Sequence, residues 1–581
     1  MRGPIQGKDP IMWNDLDSLV EASMQEWQIP GLALAVIQDG EVAVLKGYGV
    51  RDTDTGLPVT IDTQFLLCSI TKSFTAAGIG LLVDERKLDW ARPVREVIPE
   101  FRLHDPVATE RLTVRDLLCH HSGLPRHDWI HMPGDLSNAQ MLAALRHLAP
   151  NKDLRDTFQY SNLGYLVAGM VTERISGRSY QDFTTERLMK PLGFSHFGFS
   201  IEALAAAEDA ARPHAMDGDE RYRTPLSPIR ATPAGGINAS VADLAKWARF
   251  LLDGKAHGQQ LLSAQALREM TTPRVHMGRS PYAEIGDSHY GLGLFCEQYR
   301  GERTAAHSGS WTGWSTLMTT LPERRAGVVV LTNRAPGGAH PILTYAVLDR
   351  ICGREPVDWF GRLAPKRQQA IEQQKLDKKA SKEVRRSGTR PSHPLADYVG
   401  DYEHPAYGRL RIDTEADGLG WRWRGIEEKL EHRHYDVFIT PDRPTVLHPS
   451  ERTLTFRYDR QGRIDRVEIP FEEMVDDIVF RRVAAGDVLD PAFRRLCAGD
   501  YLHSGRVIEI RLDAQGELGM TIPGQPTYRL LPADGRSFNV DTLEGFGVEF
   551  RRPSADVVDA LIFHEPRITA LAPRMAKDAG L

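Results

Sequence analysis

Ser69 and Lys72 stand three positions apart in the stretch Cys68-Ser69-Ile70-Thr71-Lys72-Ser73-Phe74. On a helix that spacing puts both side chains on one face, one turn apart. A serine hydroxyl attacks a carbonyl only once another group takes its proton. A lysine desolvated in a pocket has a lowered pKa and can help take it. If Ser69 opens the helix, the free N–H groups and the dipole there favour the negative charge that develops on attack. The chemistry in view is acyl transfer through a serine ester. A Ser-x-x-Lys pair arises about once by chance in a chain of this size, so alone it also reads as a surface lysine just after a helix start.

Two further short motifs bear on that reading. Tyr160-Ser161-Asn162 precedes a predicted helix, and His307-Ser308-Gly309 lies on a late predicted strand that runs into Ser310. Each is common singly, as a turn with a helix cap or as a strand end. Other chemistries find less support. No Gly-x-Ser-x-Gly elbow, Walker loop or Gly-x-Gly-x-x-Gly occurs, which argues against an α/β-hydrolase and against a nucleotide cofactor. His127, Asp128 and His131, and the pair His432 and His434 on one predicted strand face, raise a metal. Without His-Glu-x-x-His or a Cys/His set at zinc spacing, no metal and no cofactor is expected. His120 and His121, before the Ser122-Gly123-Leu124-Pro125 turn, read as packing and turn hydrogen bonding. Cys68 reads as a buried neutral thiol. Strand alternation puts Trp311 and Trp314 on different faces, so at most one would line a site.

The elements that must position these residues follow from periodicity. Ile70, Phe74, Ala77 and Leu81 predict a helix over 70–86. Further helices are predicted over 13–28, 113–119, 162–175, 241–253 and 339–353. Asn162 reads as the start of one, and Ser240 with Asp243 as a capping box for another. Residues 31–38 and 41–49 read as a hairpin around Asp39-Gly40, and 303–309, 315–321 and 326–333 as three strands. Strands early and late with helices between them predict an α+β domain rather than alternating βαβ units. Residues 361–390 carry ten Lys/Arg against three Asp/Glu and read as a solvated helical linker rather than a basic binding arm. Beyond 393 short alternating strands take over. VGDYEHPAYGRLRI (399–412) resembles AGDYLHSGRVIEIRL (498–512), and each unit later reaches a Phe-Arg-Arg strand end, at 480–482 and 550–552. That repetition predicts two small antiparallel β-barrels, or two halves of one. The expected domains are 1–358, a charged linker 359–392, and β-modules at 393–486 and 487–581.

Composition bounds the rest. Across 581 residues, 41% hydrophobic and 26% charged permit a sizeable core and exclude wholesale disorder. A net charge of −6 gives no global basic field for nucleic acid or an anionic membrane. No run of about 18 apolar residues predicts a membrane span. The opening residues MRGPIQGKDPIMWNDL read without a signal peptide. Five scattered cysteines with no Cys-x-x-Cys fit reduced thiols. The expected setting is the cytoplasm, with a periplasmic or secreted one left open if a leader has been trimmed. A homodimer is allowed.

Taken together and in this order, the three motifs identify a resemblance. Residues ~15–355 resemble the serine β-lactamase and penicillin-binding-protein superfamily, and more narrowly its class C β-lactamase-like branch of D-aminopeptidases, D,D-peptidases and esterases. Supporting stretches are 29–49, 117–128 and 233–251. The resemblance implies an antiparallel sheet flanked by helices, with a mostly helical lobe from ~75–200 and the site between them. It implies Ser69 as acylated nucleophile and Lys72 and Tyr160 as the acid/base pair, the phenol lowered by Lys72. Asn162 would hydrogen-bond Lys72 and a substrate carbonyl. Backbone N–H groups of Ser69 and Ser310, beside Gly309, would form the oxyanion hole. His307 stands where many members carry lysine, so a fixed cation for substrate carboxylates is not expected there. The layout, a catalytic domain and two β-modules, is similar to three-domain D-aminopeptidases. The resulting expectation is a serine hydrolase of small amides, peptides or esters, leaning towards aminopeptidase-like activity. The alternatives are a broad carboxylesterase, a β-lactamase, and a sensing module that acylates without turnover.

Overall fold

The computed structural model describes residues 13–576, apart from 14, 218–219, 228, 230–231, 384, 387, 416–417, 442–450, 544 and 566–567. The first twelve residues, on which the expectation of no signal peptide bears, lie outside the described residues. Two compact units form. One holds the chain up to residue 384 together with Glu472–Val475; the other holds Arg385–Pro441, Glu451–Phe471 and the chain from Asp476 onwards.

In the first unit the elements that matter for the site are α1 (Leu16–Glu26), β1 (Gly31–Gln38), β2 (Glu41–Gly49), α2 (Thr71–Asp84), α3 (Asn162–Ser176), α4 (Val241–Asp253), β3 (Val275–Gly278), β4 (Ser288–Tyr290), β5 (Phe295–Tyr299), β6 (Glu302–Trp311), β7 (Trp314–Leu321), β8 (Ala326–Thr332), α5 (Ala339–Ile351) and α6 (Trp359–Glu383). The eight strands make one antiparallel sheet in the order β3-β4-β5-β6-β7-β8-β1-β2. The early hairpin thus closes onto the last strand, with Leu32 opposite Thr332. Its turn residues Asp39 and Gly40 both have positive φ, at 55° and 79°, the geometry that matches strand twist in a two-residue hairpin.

Seven of the eight β1 residues are buried, because helices cover both faces of the sheet. Leu32, Leu34 and Val36 pack with Val328, Val330, Ile342, Val347, Leu16 and Val20, on the side of α1 and α5. α4 covers the other face. Between that face and the short helices of the lobe runs α2, buried from Thr71 to Leu82, Lys72 included. A helix buried all round has core neighbours on every side. Trp247 of α4 stacks on Phe74 at 3.7 Å and donates from Nε1 to Ser73 Oγ at 2.9 Å. The capping box read at Ser240 is half formed. Ser240 Oγ accepts the Asp243 N–H at 3.1 Å, but the Asp243 carboxylate turns to the N–H groups of Ser195 and His196 and to Lys246. α6 begins in this unit's core, where Trp359 is buried and donates from Nε1 to Tyr299 OH at 3.0 Å.

The second unit holds a closed eight-stranded barrel running from Gly400–His404 to Ile478–Arg482, its first strand pairing with its last. An eight-stranded sheet follows, from Gly499–His503 to Thr569–Pro573, its ends drawn together by a bridge between Tyr501 and Arg574. The internal repeat is real in three dimensions. Tyr402 OH donates to the Tyr398 carbonyl and Tyr501 OH to that of Cys497. Arg482 donates to the carbonyls of Asp397 and Val399, and Arg574 to those of Leu496 and Ala498. Arg574 is therefore the counterpart of Arg482. The second Phe-Arg-Arg is not, because it ends the sixth strand (Gly547–Arg551) and Arg552 turns to Asp487 and the Ala555 carbonyl. His432 and His434 are separated by a register shift, which breaks the alternation expected of them. Among the described residues no group of three or more His, Cys, Asp or Glu side chains is arranged around a metal position, and no helix is long and apolar enough to cross a membrane.

Candidate active site

The turn into α2 is under pressure from two sides. Cys68 has φ 51°, a left-handed conformation that costs a non-glycine residue about 1–3 kcal/mol and is held only where the surroundings impose it. A short 3-10 turn, Cys68–Ile70, then delivers Ser69 to the start of the helix. Strand β6 presses on this turn at Gly309, where a Cβ would lie 2.4 Å from the Leu67 carbonyl oxygen and 2.8 Å from Cys68 Cβ. Thr316 of β7 donates to the same carbonyl at 3.0 Å. Burial pushes the Cys68 thiol well up and keeps it neutral.

One turn on, Lys72 has no exposed surface. Its Nζ lies 3.1 Å from Ser69 Oγ, 2.8 Å from Asn162 Oδ1 and 2.7 Å from the Ala234 carbonyl oxygen. Burial, reinforced by the nearby Arg126 charge, holds it well below the ordinary lysine range. Tyr160 hydrogen-bonds Ser69, and its ring centroid is 4.7 Å from Lys72 Nζ. Here the structure departs from the expectation of a lowered phenol: burial raises it, outweighing the Ser69 hydrogen bond and the Arg126 charge that pull it down. His120 lies under the Tyr160 ring at 4.3 Å and accepts the Ser161 N–H at Nδ1.

Asn162 is the first helical residue of α3, not its cap. Ser161, one residue earlier, accepts the Gly164 N–H at 3.2 Å. The shorter hydroxyl takes the cap and frees the Asn162 amide to link Lys72, through Oδ1, to Asp128 Oδ1, through Nδ2 at 2.9 Å. Burial opposes ionisation of Asp128, yet hydrogen bonds from His131, Arg126 and Asn162 hold it below the usual carboxylate range. Arg126 and Asp128 have no place among the motif residues. A charged pair after a Gly-Leu-Pro turn looks like any solvated loop, and the one signal was its position in the 117–128 stretch.

His307 is buried on β6. Its Nδ1 sits 2.6 Å from the Ser308 carbonyl and so carries the proton; Nε2, 2.7 Å from Tyr290 OH, accepts. Burial and the proximity of Lys72 push its pKa down to about 3, so it is neutral across the working range. Ser310 is exposed and sits opposite Ser315. Trp311 and Trp314 do not face opposite ways. They are cross-strand partners across a two-residue turn, and cross-strand partners share a face. Trp314 is core, packed against Phe65, while Trp311 stacks on His131 at 6.2 Å.

Comparison with known proteins identifies relatives of the chain. A family model described as Beta-lactamase matches residues 16–350, and a model of a domain of unknown function, DUF3471, matches residues 384–482. The unguisins hydrolase of Aspergillus campestris is 30% identical over 433 residues, 70% of this chain and 78% of its own. That of Aspergillus violaceofuscus is 28% identical over 447 residues, 69% and 76% of the two chains. The octameric penicillin-binding protein homologue from Pyrococcus abyssi shares the fold, with a TM-score of 0.53 and 24% identity over 81% of this chain and 99% of that one. With more than half of its length matched by one family model and a relative at this level of identity, the chain belongs to the Beta-lactamase family.

Proposed function

We propose that the chain is a serine hydrolase that works through a Ser69 acyl-enzyme and acts on small amides or peptides, with aminopeptidase-like activity preferred. The carrying observation is the buried Lys72 Nζ held by Ser69 Oγ, Asn162 Oδ1 and the Ala234 carbonyl. A neutral amine has two N–H donors and one lone pair. Asn162 and Ala234 take the donors, which turns the lone pair to the Ser69 hydroxyl. Ser69 Oγ adds to the substrate carbonyl as its proton passes to Lys72. The oxyanion is held by the backbone N–H groups of Ser69 and Ser310. Tyr160, kept protonated by burial, gives its proton to the leaving atom and is reprotonated from Lys72. Water then attacks the acyl-enzyme by the reverse sequence, with Lys72 and Tyr160 titrating as a pair. One Asn162 Nδ2 proton goes to Asp128, and the other is open to a substrate carbonyl.

The neutral His307 supports substrates that need no cation for a terminal carboxylate, which weakens the β-lactamase and carboxypeptidase readings. The hydrolase names of the two Aspergillus relatives support turnover over a sensing role. Carboxylesterase activity is the second reading. The test is steady-state hydrolysis of a D-alanine anilide and a short-chain nitrophenyl ester, with Ser69→Ala as blank. Sustained anilide turnover that needs the free amine and vanishes in Ser69→Ala is the expected result. Ester turnover alone makes the chain a carboxylesterase, one equivalent of product followed by arrest makes it a sensor, and full activity in Ser69→Ala removes the serine mechanism.

A further inference from the structure

The loop after Pro125 brings a cation to the site that the three motifs do not contain. The Arg126 guanidinium lies 5.1 Å from the centroid of the Tyr160 ring, the same ring that Lys72 Nζ approaches to 4.7 Å. Its Nε and Nη2 converge on one oxygen of Asp128, at 2.8 and 2.6 Å. The other oxygen of Asp128 takes Asn162 Nδ2 and His131 Nε2. A guanidinium forked onto a fixed carboxylate in this way keeps its orientation, and Asp128 is itself fixed from three directions. At residue 307 there is no such charge, since that imidazole is buried, neutral and bonded through both nitrogens.

We propose that Arg126 is the working cation of this active site, biasing both Lys72 and Tyr160 towards their deprotonated forms from the loop, as the neutral His307 on β6 cannot. The inference rests on the serine-hydrolase reading above and concerns how its acid/base pair is tuned. Arg126 acts through Tyr160 and Lys72 and is a positioning residue.

Every charged or titratable group facing the pair bears on this. Asp128 opposes Arg126, but after burial Arg126 is the stronger influence on Lys72. Glu472, whose carboxylate accepts the Trp129 N–H at 3.0 Å, is a second anion and acts on Arg126 itself. Burial keeps Cys68, His120, His307, Tyr165 and Tyr290 uncharged. The sign is the same for both members of the pair, since a nearby positive charge lowers the pKa of an amine and of a phenol alike.

The test is the pH dependence of kcat/KM for full-length Arg126→Met, Arg126→Lys and Asp128→Asn against the parent, on whichever of the two substrates it turns over. In Arg126→Met both limbs of the profile move to higher pH by about one unit, so activity at the foot of the acid limb falls roughly tenfold and recovers at alkaline pH. Arg126→Lys restores most of the shift. Asp128→Asn, which removes the counter-charge, moves both limbs the other way and provides an independent reading if Arg126→Met does not fold. Equal losses at every pH with unmoved limbs would make Arg126 merely structural and overturn the inference. Activity surviving in Ser69→Ala would instead overturn the serine reading itself.

Discussion

Three histidines, His120 and His307 buried and His340 half-buried, give the first unit a built-in acid sensitivity. His307 is held neutral with its pKa down to about 3, His340 down to about 4, and His120 well below the usual range, all by burial first. Their folded pKa values lie below the unfolded value, so the neutral form is favoured by folding. The stability this gives is fully present above the unfolded histidine pKa and is lost as pH falls from there towards the folded values. Stability should therefore drop steadily below about pH 6.5. His307 alone would contribute roughly 4 kcal/mol of that loss by pH 3.5. Denaturant unfolding at a series of pH values checks this, and His307→Gln should flatten the slope; an unchanged slope would mean that His307 charges in place. At this scale Ser69, Lys72, Tyr160, Asn162 and His307 were legible because short motifs carry them, and the structure brings them together. Arg126 and Asp128 were not. Their significance lies in what they face, and a single sequence shows no facing.

Strand β6 is the element on which the site depends most. Gly309 is there because no side chain fits between β6 and the turn that carries Ser69. Gly309→Ala would put its Cβ 2.4 Å from both the Leu67 carbonyl oxygen and Thr316 Oγ1. Strand or turn must then move, at a cost of about 1–3 kcal/mol. A displaced turn shifts Ser69 relative to Lys72, so kcat/KM should fall by at least tenfold at temperatures where the variant stays folded. Thermal unfolding and kinetics on one preparation separate the two effects, and unchanged kinetics would show that the turn tolerates the push. Periodicity placed the helices and strands it named in the first unit to within a few residues, since apolar spacing reports which face is covered, but left the short helices and strands between them unread. It placed the start of α3 at Asn162, where the helix begins, but did not single out Ser161 as the cap, because Ser161 and Asn162 are both good caps and only the fold decides which is needed elsewhere. It missed the facing of Trp311 and Trp314 because the chain turns between them.

At the scale of the whole molecule, the C-terminal modules were legible as repeated antiparallel barrels, but the residues that fasten them shut were not. Arg482 and Arg574 fasten the two ends of each module through backbone carbonyls that have no sequence signature. Replacing Arg482 with Met leaves those carbonyls without the charged donor and should destabilise the barrel by about 2–4 kcal/mol. Faster amide exchange confined to Gly400–His404 and Ile478–Arg482 is the expected signature, and exchange spread evenly over the chain would deny the arginine its local role. The first unit shows closure of another kind. The Gly31 N–H donates to Asn333 Oδ1, 302 residues away, as β1 seats itself beside β8. During synthesis from the N-terminus at about 5–20 residues per second, the early hairpin waits roughly 15–60 s for that partner. For that interval an apolar strand has an open edge, so nascent chains of this protein should depend on chaperones until residue 332 has left the ribosome.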